Sequence, residues 1–103
     1  MALEESGIAP EEVEAILCAT VTPDQPAPAN AQLIQANIGA CNAAAFDLNA
    51  ACSGYLFGLS VANAYIASGM YKNVLLVGAE TISRLLNWND RSTAVLFADG
   101  AGA

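Results

Sequence analysis

Residues 44–69 read AAFDLNAACSGYLFGLSVANAYIASG, and this stretch decides the fold. Residues 44–48 form a short apolar run of strand type, and Asn49-Ala50-Ala51 makes a tight connection. Residues 52–68 then read as a long helix that Gly69 ends. Tyr55, Leu56, Phe57, Leu59, Val61, Ala62, Tyr65 and Ile66 cover every face of it. A helix that is apolar all round belongs at the centre of a structure, which predicts a central buried helix starting at Cys52. Its polar and small residues, Ser53, Gly54, Ser60, Asn63, Ser68 and Gly69, suit a protein core better than lipid.

Working outward, the same alternation recurs. Residues 1–6 read as the last turns of a helix, with Gly7 in the position that tolerates left-handed backbone. Pro10-Glu11-Glu12 opens a short second helix, where Pro suits the first turn and the acids suit the positive helix end. Residues 15–21 are a candidate buried strand. Pro23, Pro26 and Pro28 force a loop. Residues 30–38 read as a helix stopped by Gly39. Residues 74–77 are a continuous apolar run, as in a parallel strand covered on both faces. Residues 81–92 form a polar connection, residues 93–97 a last strand, and residues 99–102 a sharp turn. Alternating strands and helices predict an α/β fold with right-handed parallel crossovers. The last strand follows a link without a helix and is expected to be antiparallel. The expectation is a layered α/β/α fold with a mixed, mostly parallel sheet.

Composition excludes several function classes. The 103 residues carry 3 basic and 10 acidic side chains, a net charge of −7, which argues against nucleic acid and anionic membranes as partners. There is no His and no Cys-x-x-Cys pair, so no zinc site is expected. Three cysteines at wide spacing, without a signal-peptide pattern, do not form a disulfide framework and suit a reducing cytoplasm. The chain ends on Gly102-Ala103 without a polar tail and opens on a helix end. It reads as one partial domain, 1–103, cut from a longer sequence.

The strongest chemical candidate is Cys52, placed where a strand gives way to a helix. Free N–H groups and the macrodipole at a helix start favour an anion, and so a thiolate. The same N–H groups can hold an oxyanion formed at a thioester carbonyl. Ala50, Ala51, Ser53 and Gly54 leave room for a substrate. From position alone, Cys52 is equally readable as a buried core cysteine. Cys18, mid-strand, and Cys41, in a loop, read as structural.

The segment Asp47-Leu-Asn-Ala-Ala-Cys-Ser-Gly-Tyr-Leu-Phe-Gly-Leu59 resembles the active-site segment of β-ketoacyl-[acyl-carrier-protein] synthase III, a thiolase-like family. Ala19-Thr-Val-Thr-Pro-Asp-Gln-Pro-Ala-Pro28, Asn73-Val-Leu-Leu-Val-Gly-Ala-Glu80, Asp90-Arg91 and Phe97-Ala-Asp-Gly-Ala-Gly-Ala103 resemble further family segments, in the same order. The resemblance covers nearly the whole chain as an N-terminal-half fragment. It implies a thiolase-like fold and an acyltransferase of fatty acid biosynthesis. Cys52 would take an acyl group from acyl-coenzyme A, used as substrate rather than cofactor. Malonyl-acyl carrier protein would then decarboxylate and attack the acyl-enzyme, giving β-ketoacyl-carrier protein.

The resemblance further implies a homodimer and a catalytic His and Asn, neither of which lies in this sequence. This fragment alone is therefore expected to be inactive. Arg91 matches a position near the coenzyme A nucleotide, with a salt bridge to Asp90 or Glu80 as the alternative. Ala27 matches a loop position reaching the partner subunit's acyl pocket, or is a plain loop residue. Phe97 matches a pocket-lining position, or is core packing. Trp88 is a candidate contact at the pocket mouth. Type III polyketide synthases and thiolases share the fold and the Cys. The pairing of Asp-Leu-Asn-Ala-Ala-Cys-Ser-Gly with Ala-Asp-Gly-Ala-Gly-Ala favours synthase III.

Overall fold

A computed structural model describes residues 2–103. Met1, which belongs to the first expected helix, lies outside the described residues. The elements in order are α1 (Ala2–Ser6), β1 (Ala15–Ala19), α2 (Asn30–Ile38), β2 (Ala44–Leu48), α3 (Gly54–Ala67), β3 (Val74–Glu80) and β4 (Gly100–Gly102). Single 3-10 turns stand at Pro10–Glu12, Ala51–Ser53 and Ile82–Arg84. The four strands form one sheet in the order β2-β1-β3-β4. β1 pairs in parallel with both β2 and β3, and β4 pairs antiparallel with β3.

The strand order dictates where the helices go. The chain leaves β1 for β2 on one side, then crosses back over β1 to reach β3. Two right-handed crossovers in opposite directions put α2 and α3 on opposite faces of the sheet. The packing follows this rule. Ile16, Cys18, Ala45, Leu75 and Val77 pack with Ala31, Ile34 and Ile38 on the α2 face. Leu17 and Leu76 pack with Ala62 and Tyr65 on the α3 face. β1, covered on both faces and both edges, is buried along its whole length. This gives the expected α/β/α layering with an antiparallel last strand.

α2 stops at Gly39, whose φ of 78° lies in the left-handed region. Its start is capped from a distance. The Asp47 carboxylate accepts the N–H groups of Asn30 and Ala31 at 2.9 and 2.8 Å, so β2 fixes the first turn of α2.

Three expectations are corrected. Residues 93–97 are not a strand. Asp90 captures the chain there: its carboxylate accepts the N–H and hydroxyl of Ser92 and the hydroxyl of Thr93. Its carbonyl accepts the N–H groups of Thr93 and Ala94. With those donors engaged, the segment coils into turns. The last strand is instead Gly100–Gly102, where a sharp turn was expected. Two glycines let the chain lie extended against Gly78, Ala79 and Glu80.

The third correction concerns α3. It begins at Gly54 rather than Cys52, and it is buried on one face only. Gly54, Gly58 and Ala62, spaced four apart, form the buried stripe. Leu56 is 67% exposed and Phe57 57%. An all-apolar sequence reports total cover, but these 102 residues supply the sheet on one side alone. The small residues set the helix–sheet distance. A Cβ on Gly58 would stand 2.5 Å from Leu76 Cδ1, and one on Gly54 would stand 3.2 Å from Ala19 Cβ. Gly58→Ala in a full-length protein is expected to cost about 1–3 kcal/mol through overpacking. Denaturant titration of that variant against the parent checks it.

Candidate active site

Open α/β sheets bind ligands beyond the carboxyl ends of strands, at the point where strand order reverses. Here that point lies between β1 and β3, and a cleft of about 710 Å³ opens there. Its walls come from the end of β1 (Ala19, Val21), the end of β3 (Gly78–Glu80) and β4. Ala51, Cys52 and Tyr55 come from the entry to α3, with Ile82 and Phe97 closing it.

Cys52 sits on the Ala51–Ser53 turn that joins β2 to α3, and it is exposed to the cleft. The backbone before it is strained. Ala51 has a φ of 48°, the one non-glycine residue with positive φ among the described residues. Left-handed backbone costs an L-residue about 1–2 kcal/mol. This bend turns the Cys52 side chain into the cleft instead of into the sheet. The Ser53 N–H is returned to Ala50 O at 3.1 Å, whereas the Cys52 N–H carries no hydrogen bond among the described residues. A free N–H thus stands next to the thiol in a largely apolar cleft.

The three cysteines occupy different surroundings. Cys18 is fully buried. Burial, then the charges of Asp47 and Glu80, push its thiol up to about 11 from 9.0. The folded state therefore keeps a proton that the unfolded chain loses above about pH 9. The stability this site contributes is intact below that pH and is lost as pH rises toward 11. In a full-length protein, stability is expected to fall between pH 8.5 and 10.5 by about 1–2 kcal/mol more than in Cys18→Ala. Denaturant titrations at the two pH values check this. Cys41 is exposed in a loop away from the cleft.

The other sequence-predicted residues divide. Phe97 lines the cleft with Cys52. Ala27 does not; it lies on the exposed proline loop, before a cis peptide to Pro28. Trp88 is 65% exposed and Arg91 is exposed, both outside the cleft wall. Arg91 has no ion pair among the described residues, so the alternative of a bridge to Asp90 or Glu80 does not hold. Asp90 is engaged with Ser92 and Thr93, whose hydrogen bonds hold its carboxyl below the usual range. Glu80 is engaged with the segment after β1. Sequence reasoning missed Glu80, Val21, Ile82 and the strained Ala51. An acid ending a parallel apolar strand was the available signal for Glu80.

No helix among the described residues is long and apolar enough to cross a membrane. Residues 46–103 match the family described as 3-oxoacyl-[acyl-carrier-protein] synthase III. Over 102 residues, 99% of this chain, it is 54% identical to a β-ketoacyl-[acyl-carrier-protein] synthase III of Caldanaerobacter subterraneus subsp. tengcongensis. It is 56% identical over the same length to a synthase III of Bacillus cereus. The chain spans 31% and 33% of those two proteins. The crystal structure of the Aquifex aeolicus 3-oxoacyl-[acyl-carrier-protein] synthase III superposes with a TM-score of 0.95 at 49% identity, covering 97% of this chain and 32% of that one. A priming β-ketosynthase from a polyketide biosynthetic pathway superposes with a TM-score of 0.94 at 38% identity, covering 97% and 30%.

The chain therefore has the fold shared by these ketosynthases. It belongs to the 3-oxoacyl-[acyl-carrier-protein] synthase III family.

Proposed function

We propose that the protein carrying this segment is a decarboxylating condensing enzyme of fatty acid biosynthesis, with Cys52 as its acyl acceptor. The observation that carries this reading is Cys52 itself. It is exposed in the cleft at the reversal of strand order, behind a strained residue, within a family of condensing enzymes.

In this reading the Cys52 thiolate attacks the carbonyl of an acyl-coenzyme A. The carbonyl π electrons move to oxygen, and the unengaged Cys52 N–H donates to that oxyanion. Collapse breaks the C–S bond to coenzyme A, which leaves as a thiolate. The acyl group stays on Cys52. Malonyl-acyl carrier protein then loses carbon dioxide, and its carbanion attacks the acyl carbonyl. The new C–C bond gives β-ketoacyl-carrier protein and returns the Cys52 thiolate. In this reading the His that assists decarboxylation comes from outside these residues, because this chain has no His, and none of its Asn residues matches the family's Asn.

Phe97, Val21 and Ile82 supply apolar walls for the acyl chain. In this reading Arg91, which is exposed, pairs with a phosphate of coenzyme A, and Trp88 on the same connection contacts the pocket mouth. Ala27, exposed and not part of its own cleft wall, serves a partner subunit's pocket in this reading. The test is product formation. A full-length protein given acyl-coenzyme A and malonyl-carrier protein should release carbon dioxide and yield β-ketoacyl-carrier protein. Absence of both products from folded protein contradicts the proposal.

A further inference from the structure

Glu80 ends β3 on the same face as Leu76 and Gly78, which is the face that carries α3 and Cys52. A carboxylate lining a nucleophile's cleft invites the role of general base. Its hydrogen bonds assign it elsewhere. One oxygen accepts the Val21 N–H at 2.9 Å. The other accepts the Thr22 hydroxyl at 2.6 Å, the Thr20 hydroxyl at 3.4 Å and the Val21 N–H at 3.2 Å. The Thr22 hydroxyl in turn accepts the Thr81 N–H at 2.8 Å, and the Thr20 hydroxyl accepts the Thr22 N–H at 3.1 Å. Thr20 and Thr22 are both buried.

The result is a closed clasp between the chain leaving β1 and the chain leaving β3. The two segments no longer pair with each other there, since the β1–β3 pairing ends at Ala19 and Gly78. The clasp replaces the missing ladder. What it holds in place is Val21, which lines the cleft together with Cys52. A second tie lies outside it: Arg84 donates to Thr81 Oγ1 at 2.8 Å and to Asp24 at 2.7 Å. That pair is exposed and contributes little by itself.

We propose that Glu80 is a positioning residue for acyl-chain selection, acting through the clasp to hold Val21 against the acyl group on Cys52. This rests on the acyl-acceptor reading of Cys52. A wall held by a charged acceptor and two buried hydroxyls stays put when a small acyl group leaves space behind it. Loosened, it yields to a longer chain, so short and long acyl groups respond differently.

The experiment uses the full-length protein, its Glu80→Gln variant and its Thr22→Val variant. Gln presents an NH2 toward the Val21 N–H at one oxygen position or toward three donors at the other; Val removes the hydroxyl from the opposite end of the clasp. Acylation of Cys52 is measured with a two-carbon and a four-carbon acyl-coenzyme A, alongside iodoacetamide alkylation and thermal unfolding. In Glu80→Gln the ratio of kcat/KM for the two-carbon over the four-carbon substrate should fall about tenfold, the low end of what one or two methylenes of pocket fit decide. Thr22→Val should move it in the same direction. Alkylation of Cys52 by the small reagent should not change. A ratio unchanged in whichever variant folds, with acylation normal in the parent, overturns the clasp and leaves the Cys52 reading standing. A folded parent that acylates with neither substrate overturns both. Glu80→Gln that fails to fold leaves Thr22→Val as the deciding variant.

Discussion

Cys52→Ala in a full-length protein is expected to lower condensation by about four orders of magnitude or more, the scale seen when a covalent nucleophile is deleted. No substitute stands ready. Cys18 is buried between sheet and α2 and holds its proton to about pH 11. Cys41 lies outside the cleft. Stability should change little, because the Cys52 side chain is exposed and contributes nothing to either core cluster. Cys52→Ser separates geometry from chemistry. The hydroxyl fits the same turn, but it supplies no thiolate and should restore almost none of the rate. Turnover with malonyl-carrier protein, read beside a thermal melt, checks both variants. Turnover within tenfold of the parent in Cys52→Ala removes the nucleophile from the account.

The second large effect is predicted for the 103-residue chain expressed alone. It should lack a cooperative unfolding transition, bind hydrophobic dyes and condense nothing. The outer face of α3 exposes Leu56, Phe57, Leu59 and Ile66, and the connection after β3 exposes Leu85, Trp88, Val95, Leu96 and Phe97. Full burial of one such side chain is worth about 1.5–3 kcal/mol. Leaving half of that on each of nine residues forgoes about as much as the 5–15 kcal/mol by which a whole domain is stable. β3 also lacks a partner on its outer edge at Val74–Val77, since β4 reaches only Gly78. Calorimetry and dye binding on the purified chain test the prediction. A sharp transition without dye binding contradicts it.

The sequence made some features plain because a single local cause produced them. α2 ran from Asn30 to Ile38 as expected, stopped by a glycine that only left-handed backbone explains. β2 matched because its apolar run is short and bounded on both sides. The strand–turn–helix setting of Cys52 was legible for the same reason. Where two causes competed, sequence misled. Residues 93–97 have strand composition, yet Asp90 three residues upstream captured their N–H groups. Gly100–Gly102 looked like a turn because glycine permits one, but pairing with β3 decided its state. The all-apolar α3 pattern could not say that Gly54, Gly58 and Ala62 would face the sheet while the large residues faced out. The Glu80 clasp joins residues 58 to 60 apart in sequence, and no periodicity reports such a contact.

The central claim is that Cys52 accepts the acyl group, and a direct test omits the second substrate. A full-length protein is incubated with acyl-coenzyme A alone, then digested and mapped by mass spectrometry. The account predicts one acyl group per chain, held as a hydroxylamine-labile thioester on the peptide containing Cys52, with Cys18 and Cys41 unmodified. An acyl group on Cys41, or condensation that proceeds with no acyl-Cys52 at any time point, contradicts it.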